Sequence, residues 1–442
     1  CRCPRGHLAS DLPHLMGRAS FIDGLQLTCS HQIAALVNCP HAPNHAAARK
    51  PGISEDNQKL NETPRALKQL VIKPTVYCFH KCPYCDLRQD YYQGVLEKNK
   101  ARVIPVRDTR TSTPGLEMNA KAAKLNPGHM PLEMALQSID EAAALGMESM
   151  QLSGGDPLLY PHLTEVIRAA ARHPGVFVFM NSVGTQVSAA KVRELIDAGL
   201  MAWNFSIDTL DPALYEELRG VNRALEKIMA AIATVRSVAV DYPDFCINYM
   251  TVITNKNYRE LPDLFSHCLE TGVASIYLMN VYGDVEGRSL LSVDQIQEFR
   301  NDIVPEILRR INEKSPYEIV KTNAEWVMNT FFSSENSDEN YSKGIYWPNP
   351  EAAKAACRTP EHYALIEPDG KVLPCCLVEI SHEGEVGDMS KNSLTEVWAA
   401  SGYSDFRRDR IDFCVKCSSP RNKTVGFVPK LCRQFNVFET EN

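Results

Sequence analysis

The sequence predicts an α/β fold in which parallel strands form an open barrel, followed by a small C-terminal extension. Short β-like runs alternate with helical segments from residue 71 to residue 281, and apolar residues recur three and four positions apart in the helical segments. Gly146, Gly199 and Gly272 stand where these helices should end. Such alternation is typical of a parallel sheet with right-handed crossovers. Six strands are fewer than the eight of a closed barrel, so we expect a partial (β/α)6 TIM-like barrel.

The predicted strands are "VIKPTVY" (71–77), "ESMQLSGG" (148–155), "GVFVFMNS" (175–182), "MAWNFSID" (201–208), "FCINYMTVI" (245–253) and "ASIYLMNV" (274–281). The predicted helices are "MPLEMALQSIDEAAALG", "HLTEVIRAAARH", "SAAKVRELIDAG", "DPALYEELRG" continuing through "ALEKIMAAIATVRSV", and "YRELPDLFSHCLETG". A long amphipathic helix, "LSVDQIQEFRNDIVPEILRRINE", follows the last strand.

The bulk composition narrows the class of protein. The chain has 442 residues, 44% of them hydrophobic, which is enough for one large domain and a smaller one. Its net charge is −7 and it has no long basic run, so we expect no nucleic-acid partner. No apolar stretch has the length of a membrane span, so we expect no membrane partner. The 15 cysteines are clustered in a long chain, which indicates metal ligands in a reducing compartment, and we expect a cytoplasmic protein.

Three regions are predicted. Residues 1–66 are a mostly irregular extension containing "PHAPNHAAARKPG". Their Cys and His residues leave a zinc site as an alternative, although the spacing matches no standard finger: Cys1, Cys3, His7, Cys29, His31, Cys39, His41 and His45. Residues 67–315 are the partial barrel, in which the insertion at 86–129 either covers a substrate or forms a mobile surface loop. Residues 316–442 form the cysteine-rich C-terminal extension.

The strongest motif is C-x3-C-x2-C, formed by Cys78, Cys82 and Cys85 on the loop after the first strand. Thiolates are soft ligands that suit iron–sulfur clusters. Three cysteines bind three irons of a [4Fe–4S] cluster and leave the fourth iron able to chelate a small molecule. A structural zinc site is the alternative interpretation. In this β/α context the motif resembles that of the radical S-adenosylmethionine (SAM) superfamily.

Other positions match motifs of that superfamily. The resemblance implies that Tyr84 lies against the adenine of SAM. It also implies that the "SGGDP" turn, with Gly154, Gly155 and Asp156, receives the methionine amino group, although Asp replaces the usual Glu. In "NFSIDTLDP", Ser206 and Asp208 correspond to a Ser-x-Asp pattern near the ribose. Weaker candidates end the third strand: Asn181 and Ser182.

The C-terminal cysteines resemble the SPASM/twitch extension of radical SAM enzymes. A Pro-Asp-Gly hairpin lies between Cys357 and Cys375, and C-x2-C follows at Cys414 and Cys417. The two further cysteines of a full SPASM domain are absent after Cys417, so the spacing is more similar to the twitch of 2-deoxy-scyllo-inosamine dehydrogenase. That resemblance implies one auxiliary [4Fe–4S] cluster held by these four cysteines. Two spare thiols could replace one of them: Cys376 and Cys432.

The resemblance implies an enzyme that cleaves SAM to a 5′-deoxyadenosyl radical, which abstracts a substrate hydrogen atom. An external one-electron donor such as flavodoxin or ferredoxin would supply the electron. An auxiliary cluster suits an oxidation, so an oxidoreductase acting on a small polyol, sugar or aminocyclitol in natural-product biosynthesis is the leading hypothesis. The alternative substrate is a ribosomal precursor peptide whose side chains are oxidised or cross-linked. A non-enzymatic cluster protein is disfavoured by the SAM motifs, and no catalytic acid or base can be named.

Overall fold

A computed structural model describes residues 66–82, 84–85, 128–271, 273, 275–281, 288–314, 332, 336–376, 384–409 and 412–417. All of them belong to the unit Gln58–Asn442. Several predictions lie outside the described residues: the irregular extension and its zinc alternative, almost all of the 86–129 insertion, the helix end at Gly272, and Cys432.

Six parallel strands form the barrel wall, as the sequence predicts. They are β1 (Gln69–Ile72), β2 (Ser149–Leu152), β3 (Phe177–Asn181), β4 (Ala202–Ser206), β5 (Cys246–Ile253) and β6 (Ser275–Asn280). Each pairs in parallel with the next along the chain. The first strand ends at Ile72 rather than at Tyr77, which corrects the predicted run. Pro74 follows closely and has no N–H to donate to a sheet, and Thr75 instead forms an antiparallel bridge with His129.

Helices connect the barrel strands as predicted. They are α1 (Leu132–Ala144), α2 (Leu163–Ala171), α3 (Ala189–Asp197), α4 (Pro212–Arg219), α5 (Ala224–Ala239) and α6 (Leu261–Thr271). Gly146 and Gly199 follow helix ends with φ of 96° and 112°, which confirms two of the predicted stops. The prediction that one helix continues from residue 211 to residue 238 is wrong. Gly220 caps α4 in the left-handed conformation, and Arg223 is also left-handed before α5 begins.

The long amphipathic helix predicted after the last strand is present in three parts. α7 (Val293–Glu298) passes through a π-helical turn (Phe299–Ile303) into α8 (Val304–Lys314). Ser292 caps its start with a capping box that involves Gln295. Within the described residues, no helix has both the length and the apolar character that a membrane span requires.

The two faces of the barrel sheet carry different side chains. Residues such as Val178 and Met180 of β3 belong to the large core that the helices cover. The alternate residues Phe177 and Phe179 form a separate small cluster with Ala202 and Cys246. Because successive side chains of a strand point to opposite faces, this second cluster marks the barrel interior. We call these four residues the inner plug.

The C-terminal extension adds three strands to the same sheet. β7 (Tyr363–Ile366) pairs in parallel with β1, and β8 (Lys371–Leu373) and β9 (Gly387–Asp388) follow in antiparallel order. The sheet therefore runs β6-β5-β4-β3-β2-β1-β7-β8-β9. The described residues of this region also form the helices α9 (Asp338–Tyr341), α10 (Pro350–Ala356), α11 (Leu394–Ala399) and α12 (Ser401–Asp409). The hydroxyl of Tyr403 on α12 donates to the carbonyl of Tyr363 at 2.9 Å, which ties α12 to β7.

His129 is a titratable residue beside the segment that leads from β1 to the cysteine loop. It is buried, and its ring lies 5.0 Å from that of Tyr77 and 5.9 Å from that of Tyr160. Burial, with the nearby His162 charge, lowers the pKa of His129 from 6.5 to about 4. The unfolded chain therefore takes up a proton at a higher pH than the folded chain does. Stability supplied by neutral His129 is lost as the pH falls from 6.5 towards 4.

We expect the substitution His129→Phe to reduce this acid sensitivity, because phenylalanine keeps the aromatic contacts and cannot titrate. The check is thermal unfolding of both proteins at about pH 7 and about pH 5, where the wild-type protein should lose more stability than the variant. An equal loss in the two proteins would contradict the prediction.

Candidate active site at the carboxyl end of the barrel

The three motif cysteines lie on one loop beyond the carboxyl end of β1. Cys82 is buried, and Cys78 and Cys85 are half-buried. The backbone N–H of His80 donates to the Cys78 sulfur at 3.4 Å, and the N–H of Cys85 donates to the carbonyl of Cys82 at 3.2 Å. Burial, with the Asp156 carboxylate as a smaller cause, raises the pKa of the Cys78 thiol to about 12. A bound cation is what would stabilise the thiolate in such a position.

The "SGGDP" turn holds the loop from one side. The N–H of Gly155 donates to the carbonyl of Thr75 at 2.9 Å, and the N–H of Asp156 donates to that of Tyr77 at 2.6 Å. A Cβ atom on Gly155 would lie 2.0 Å from the Tyr77 carbonyl oxygen. Gly154 has φ of 100° and packs against Lys73. The two glycines are therefore required by close backbone approach, which brings β2 against the strand that leads to Cys78.

Asp156 is buried and accepts hydrogen bonds from three groups of the protein. Its Oδ1 accepts from the hydroxyl of Ser182 at 2.7 Å and from the N–H of Leu158 at 3.0 Å. Its Oδ2 accepts from the N–H of Val183 at 3.3 Å. Burial raises the pKa of Asp156 to about 6, and these hydrogen bonds limit the rise. The contacts make Asp156 a link between the glycine turn and the end of β3, and its predicted contact with SAM stays a prediction.

Tyr84 and Asp208 meet on the other side of the loop. The Tyr84 hydroxyl donates to Oδ2 of Asp208 at 2.6 Å, and burial raises the pKa of Tyr84 well above its usual value. Oδ1 of Asp208 accepts from the N–H of Val252 at 2.9 Å. Asp208 has no solvent exposure. The structure thus joins two residues that the sequence predicted separately as cofactor contacts.

Arg219, the last residue of α4, completes this group. Its guanidinium lies 2.5 Å from Oδ2 of Asp208 and donates to the sulfur of Cys82 at 3.5 Å. Its carbonyl accepts from the N–H of Lys81 at 2.8 Å. Burial opposes the charged guanidinium, but the Asp208 carboxylate more than offsets this and keeps the pKa of Arg219 above its ordinary value. Helix α4 therefore holds the middle of the cysteine loop.

Asn181 and Ser206 end β3 and β4 and are half-buried. Asn181 belongs to a ladder of three amides on adjacent strands. The Asn248 amide donates to Oδ1 of Asn204, and the Asn204 amide donates to Oδ1 of Asn181, both at 2.9 Å. Each of these residues follows an inner-plug residue two positions further along its strand, so the ladder lies on the same, interior face. Asn248 is buried, and its own oxygen accepts no hydrogen bond in the described part of the chain.

A second polar feature lies where β1 and β7 end. Nζ of Lys73 is 3.4 Å from Oε1 of Glu367, and both side chains are buried. Lys73 also borders Gly154 of the glycine turn. This ion pair joins the barrel to the C-terminal extension, because Glu367 directly follows β7.

The auxiliary cysteines with described positions all lie in the C-terminal extension and are half-buried: Cys357, Cys375, Cys376, Cys414 and Cys417. Cys357 caps α10, which packs against the 3-10 turn Asp412–Lys416. Tyr346 and Trp347 donate backbone N–H groups to the carbonyl of Val415 at 2.8 and 3.0 Å. The indole of Trp347 donates to the carbonyl of Cys417 at 3.0 Å. The C-x2-C turn is thus fixed by the segment before α10.

The residues at the loop fit an iron–sulfur cluster with SAM. Three thiols come from one short loop, two of their sulfurs accept N–H bonds, and a glycine turn approaches the loop closely. Cys78, Cys82 and Cys85 would hold the cluster, whose sulfur-bound N–H groups are of the kind that tune such centres. Among the described residues, no three His, Cys, Asp or Glu side chains are placed to hold a single metal ion.

Comparison with known families identifies two domains in the chain. The Radical SAM superfamily model matches residues 72–268, and the SPASM model, an iron–sulfur cluster-binding domain, matches residues 357–418. The chain is a radical SAM protein with a C-terminal SPASM domain. These domains imply a [4Fe–4S] cluster with SAM and auxiliary iron–sulfur clusters.

Individual relatives are distant. The radical SAM protein is 23% identical over 308 residues to the AdoMet-dependent heme synthase of Methanosarcina barkeri, which covers 69% of this chain and 84% of the relative. It is 33% identical over 138 residues to a GTP 3′,8-cyclase of Synechococcus elongatus, covering 31% of this chain and 41% of the relative. Its fold is similar to that of Streptococcus suis SuiB bound to the precursor peptide SuiA, with a TM-score of 0.53 and 17% identity. That match covers 90% of this chain and 83% of SuiB.

Sequence reasoning missed Arg219, the amide ladder beyond Asn181, and the Lys73–Glu367 pair. Arg219 reads as an ordinary last-turn cation of an amphipathic helix. Asn204, Asn248 and Lys73 each read as a single polar residue in a strand. Their one sequence signal is that a polar residue interrupts an apolar run that is otherwise typical of a strand buried on both faces.

We expect Gly155→Ala to displace the cysteine loop, because the new methyl group overlaps the Tyr77 carbonyl. Forcing a side chain into such a packed position costs about 1–3 kcal/mol. Iron bound per chain after anaerobic reconstitution should fall, together with thermal stability.

Gly175→Ala is the matched control. Gly175 has φ of 85° but nothing within 4 Å of a Cβ atom, so alanine there meets backbone strain without overlap. That strain costs about 1–2 kcal/mol, and iron content should stay at the wild-type level. Normal iron content in Gly155→Ala would show that the loop does not need the close approach.

Proposed function

We propose that this radical SAM protein is an oxidoreductase that removes a hydrogen atom from a small polar molecule, namely a polyol, sugar or aminocyclitol in natural-product biosynthesis. The observation that carries the proposal is the polar interior of the barrel. Above the inner plug, the interior face of β3, β4 and β5 presents the amide ladder of Asn181, Asn204 and Asn248. Amides at such positions suit a substrate with several hydroxyl or amine groups.

The direction of the ladder supports this substrate class. Each amide donates to the next, so Asn181 keeps its N–H donors at the half-buried end. Asn248 has an oxygen that accepts nothing within the described residues. A buried acceptor left without a donor costs about 1–3 kcal/mol. A hydroxyl or amine of the substrate would satisfy it, and an apolar substrate would not.

The bound cluster and SAM would supply a 5′-deoxyadenosyl radical for hydrogen abstraction. The protein's own part is to position and enclose. The glycine turn and α4 fix the cysteine loop on two sides, and the barrel interior orients the substrate below it. We infer that Cys357, Cys375, Cys414 and Cys417 of the SPASM domain would hold an auxiliary cluster. That cluster would supply an acceptor for the electron left on the substrate.

Tyr84, Gly154, Gly155, Asp156, Asn181, Ser206 and Asp208 stay the candidate residues for SAM. Ser206 and Asn181 are the better placed for direct contact, because both are half-buried at strand ends. An external donor such as flavodoxin or ferredoxin would deliver the electron. Cluster thiolates need a reducing compartment, so we place the protein in the cytoplasm.

A peptide maturase is the second candidate. The similarity to SuiB in complex with its precursor peptide favours it, since that match extends over 90% of this chain. The relation to AdoMet-dependent heme synthases makes a heme precursor a further outcome that the substrate experiment has to distinguish.

The two cysteine sets should have separable effects. After anaerobic reconstitution we expect about eight iron and eight sulfide per chain, from two cubane clusters. Replacing Cys78, Cys82 and Cys85 by alanine should remove about half of the iron and all SAM cleavage. The measurement is iron and sulfide content together with 5′-deoxyadenosine release under dithionite.

Replacing Cys357, Cys375, Cys414 and Cys417 should also halve the iron but leave slow SAM cleavage with little oxidised product. An insoluble or globally unstable variant would show instead that this cluster stabilises the fold of the C-terminal extension. Release of 5′-deoxyadenosine by the variant that lacks Cys78, Cys82 and Cys85 would refute the assignment of the SAM cluster. Normal product formation by a stable variant that lacks the four C-terminal cysteines would direct attention to Cys376 and Cys432.

The substrate class is tested by deuterium transfer. Polyols, sugars and aminocyclitols deuterated on carbon should pass deuterium into 5′-deoxyadenosine, as read by mass spectrometry. Asn248→Leu, which removes the amide and keeps a similar side-chain size, should reduce transfer while leaving iron content unchanged. Transfer from a precursor peptide or a heme precursor, and from none of the small molecules, would overturn the proposed class.

A further inference from the structure

Arg219 contacts both a cysteine sulfur and a carboxylate. One N–H group of the guanidinium faces the Cys82 sulfur at 3.5 Å, while another nitrogen lies 2.5 Å from the Asp208 carboxylate. The residue is buried, and so are Asp208 and Cys82. Its guanidinium also lies over the Tyr215 ring, with the carbon 5.3 Å from the ring centre. The positive charge is therefore fixed in place beside a cluster-binding sulfur.

The surroundings allow little movement of this charge. The carbonyl of Arg219 accepts from the N–H of Lys81, and Gly220 is so close to Lys81 that a Cβ there would lie 2.5 Å from its carbonyl oxygen. Asp208 is held from two other directions by Tyr84 and by the N–H of Val252. An arginine can bind a carboxylate and a sulfur at once because its N–H groups form a planar fork.

Such a contact has an electrical consequence. One-electron reduction of an iron–sulfur cluster adds a negative charge to its irons and sulfurs. N–H bonds to a cysteine sulfur and nearby positive charge stabilise the reduced form and raise the reduction potential, whereas a nearby carboxylate lowers it. In this structure both effects meet at one point, since Asp208 partly neutralises the guanidinium that faces Cys82.

We propose that Arg219 is a positioning residue that holds Cys82 and raises the reduction potential of the SAM cluster. The Asp208 carboxylate limits the size of this increase. The inference concerns the cluster and is independent of the substrate class proposed above. It predicts opposite changes for two variants. Asp208→Asn keeps Arg219 and removes the neutralising carboxylate, so the potential should rise. Asp208→Asn combined with Arg219→Met removes the ion pair without a change of net charge, so the potential should fall below that of the wild type.

The measurement is the midpoint potential of the reconstituted full-length protein, followed by electron paramagnetic resonance during an anaerobic redox titration. The signal that changes on addition of SAM identifies the SAM cluster. The matched control is Arg300→Met with Asp338→Asn. Arg300 pairs with Asp338 and with the carbonyl of Phe332, and neither contact involves a cysteine. The control should leave the potential at the wild-type value.

Each outcome decides the proposal. A rise in Asp208→Asn and a fall in the double variant, with the control unchanged, support it. Equal potentials in all proteins, or a change in the control as large as in the double variant, overturn it. If either variant binds no cluster, the other decides alone: an unchanged or lower potential in Asp208→Asn, or an unchanged or higher potential in the double variant, overturns the proposal. Arg219→Lys, which keeps the charge without the fork, should lie between the wild type and the double variant.

Discussion

The buried ion pair between Asp208 and Arg219 connects the cysteine loop to the barrel. Asp208 follows β4 and Arg219 ends α4, so the pair links the two ends of this βα connection, and both residues contact the cysteine loop. Removing one partner would leave a buried charge uncompensated, which costs about 3–5 kcal/mol in comparable sites. The two charges therefore have to stay together. Each also binds part of the cysteine loop: Asp208 accepts from Tyr84, and Arg219 contacts Lys81 and Cys82.

The glycine turn binds the cysteine loop from the opposite side. Gly155 and Asp156 donate backbone N–H groups to the segment before Cys78, and Asp156 passes the constraint on to Ser182 at the end of β3. The backbone N–H groups of this turn are thus used to bind the loop. The two glycines allow the close approach because they have no side chain, and the Asp156 carboxylate joins the ends of β2 and β3.

Local pattern was sufficient to predict the six parallel strands and the helices between them, because each depends on the spacing of apolar residues within one segment. The cysteine loop was predictable for the same reason. What the sequence could not show depends on pairing between distant segments. Asn204 and Asn248 become a ladder only when β4 and β5 are in register. The helix break at Gly220 and Arg223 was missed because apolar residues continue with helical spacing on both sides of it.

The pairing of β7 with β1 has a consequence for how the chain reaches this state. During synthesis β1 emerges early and finds β2 soon after, but its other edge waits for a strand that begins at Tyr363. Contacts of such large separation slow folding, and an open strand edge invites pairing with other chains meanwhile. The Cys78–Cys85 loop leaves that same strand. Until synthesis has passed β7, the strand that leads into this loop is therefore paired on one edge only, and the support of the SAM site depends on the C-terminal extension.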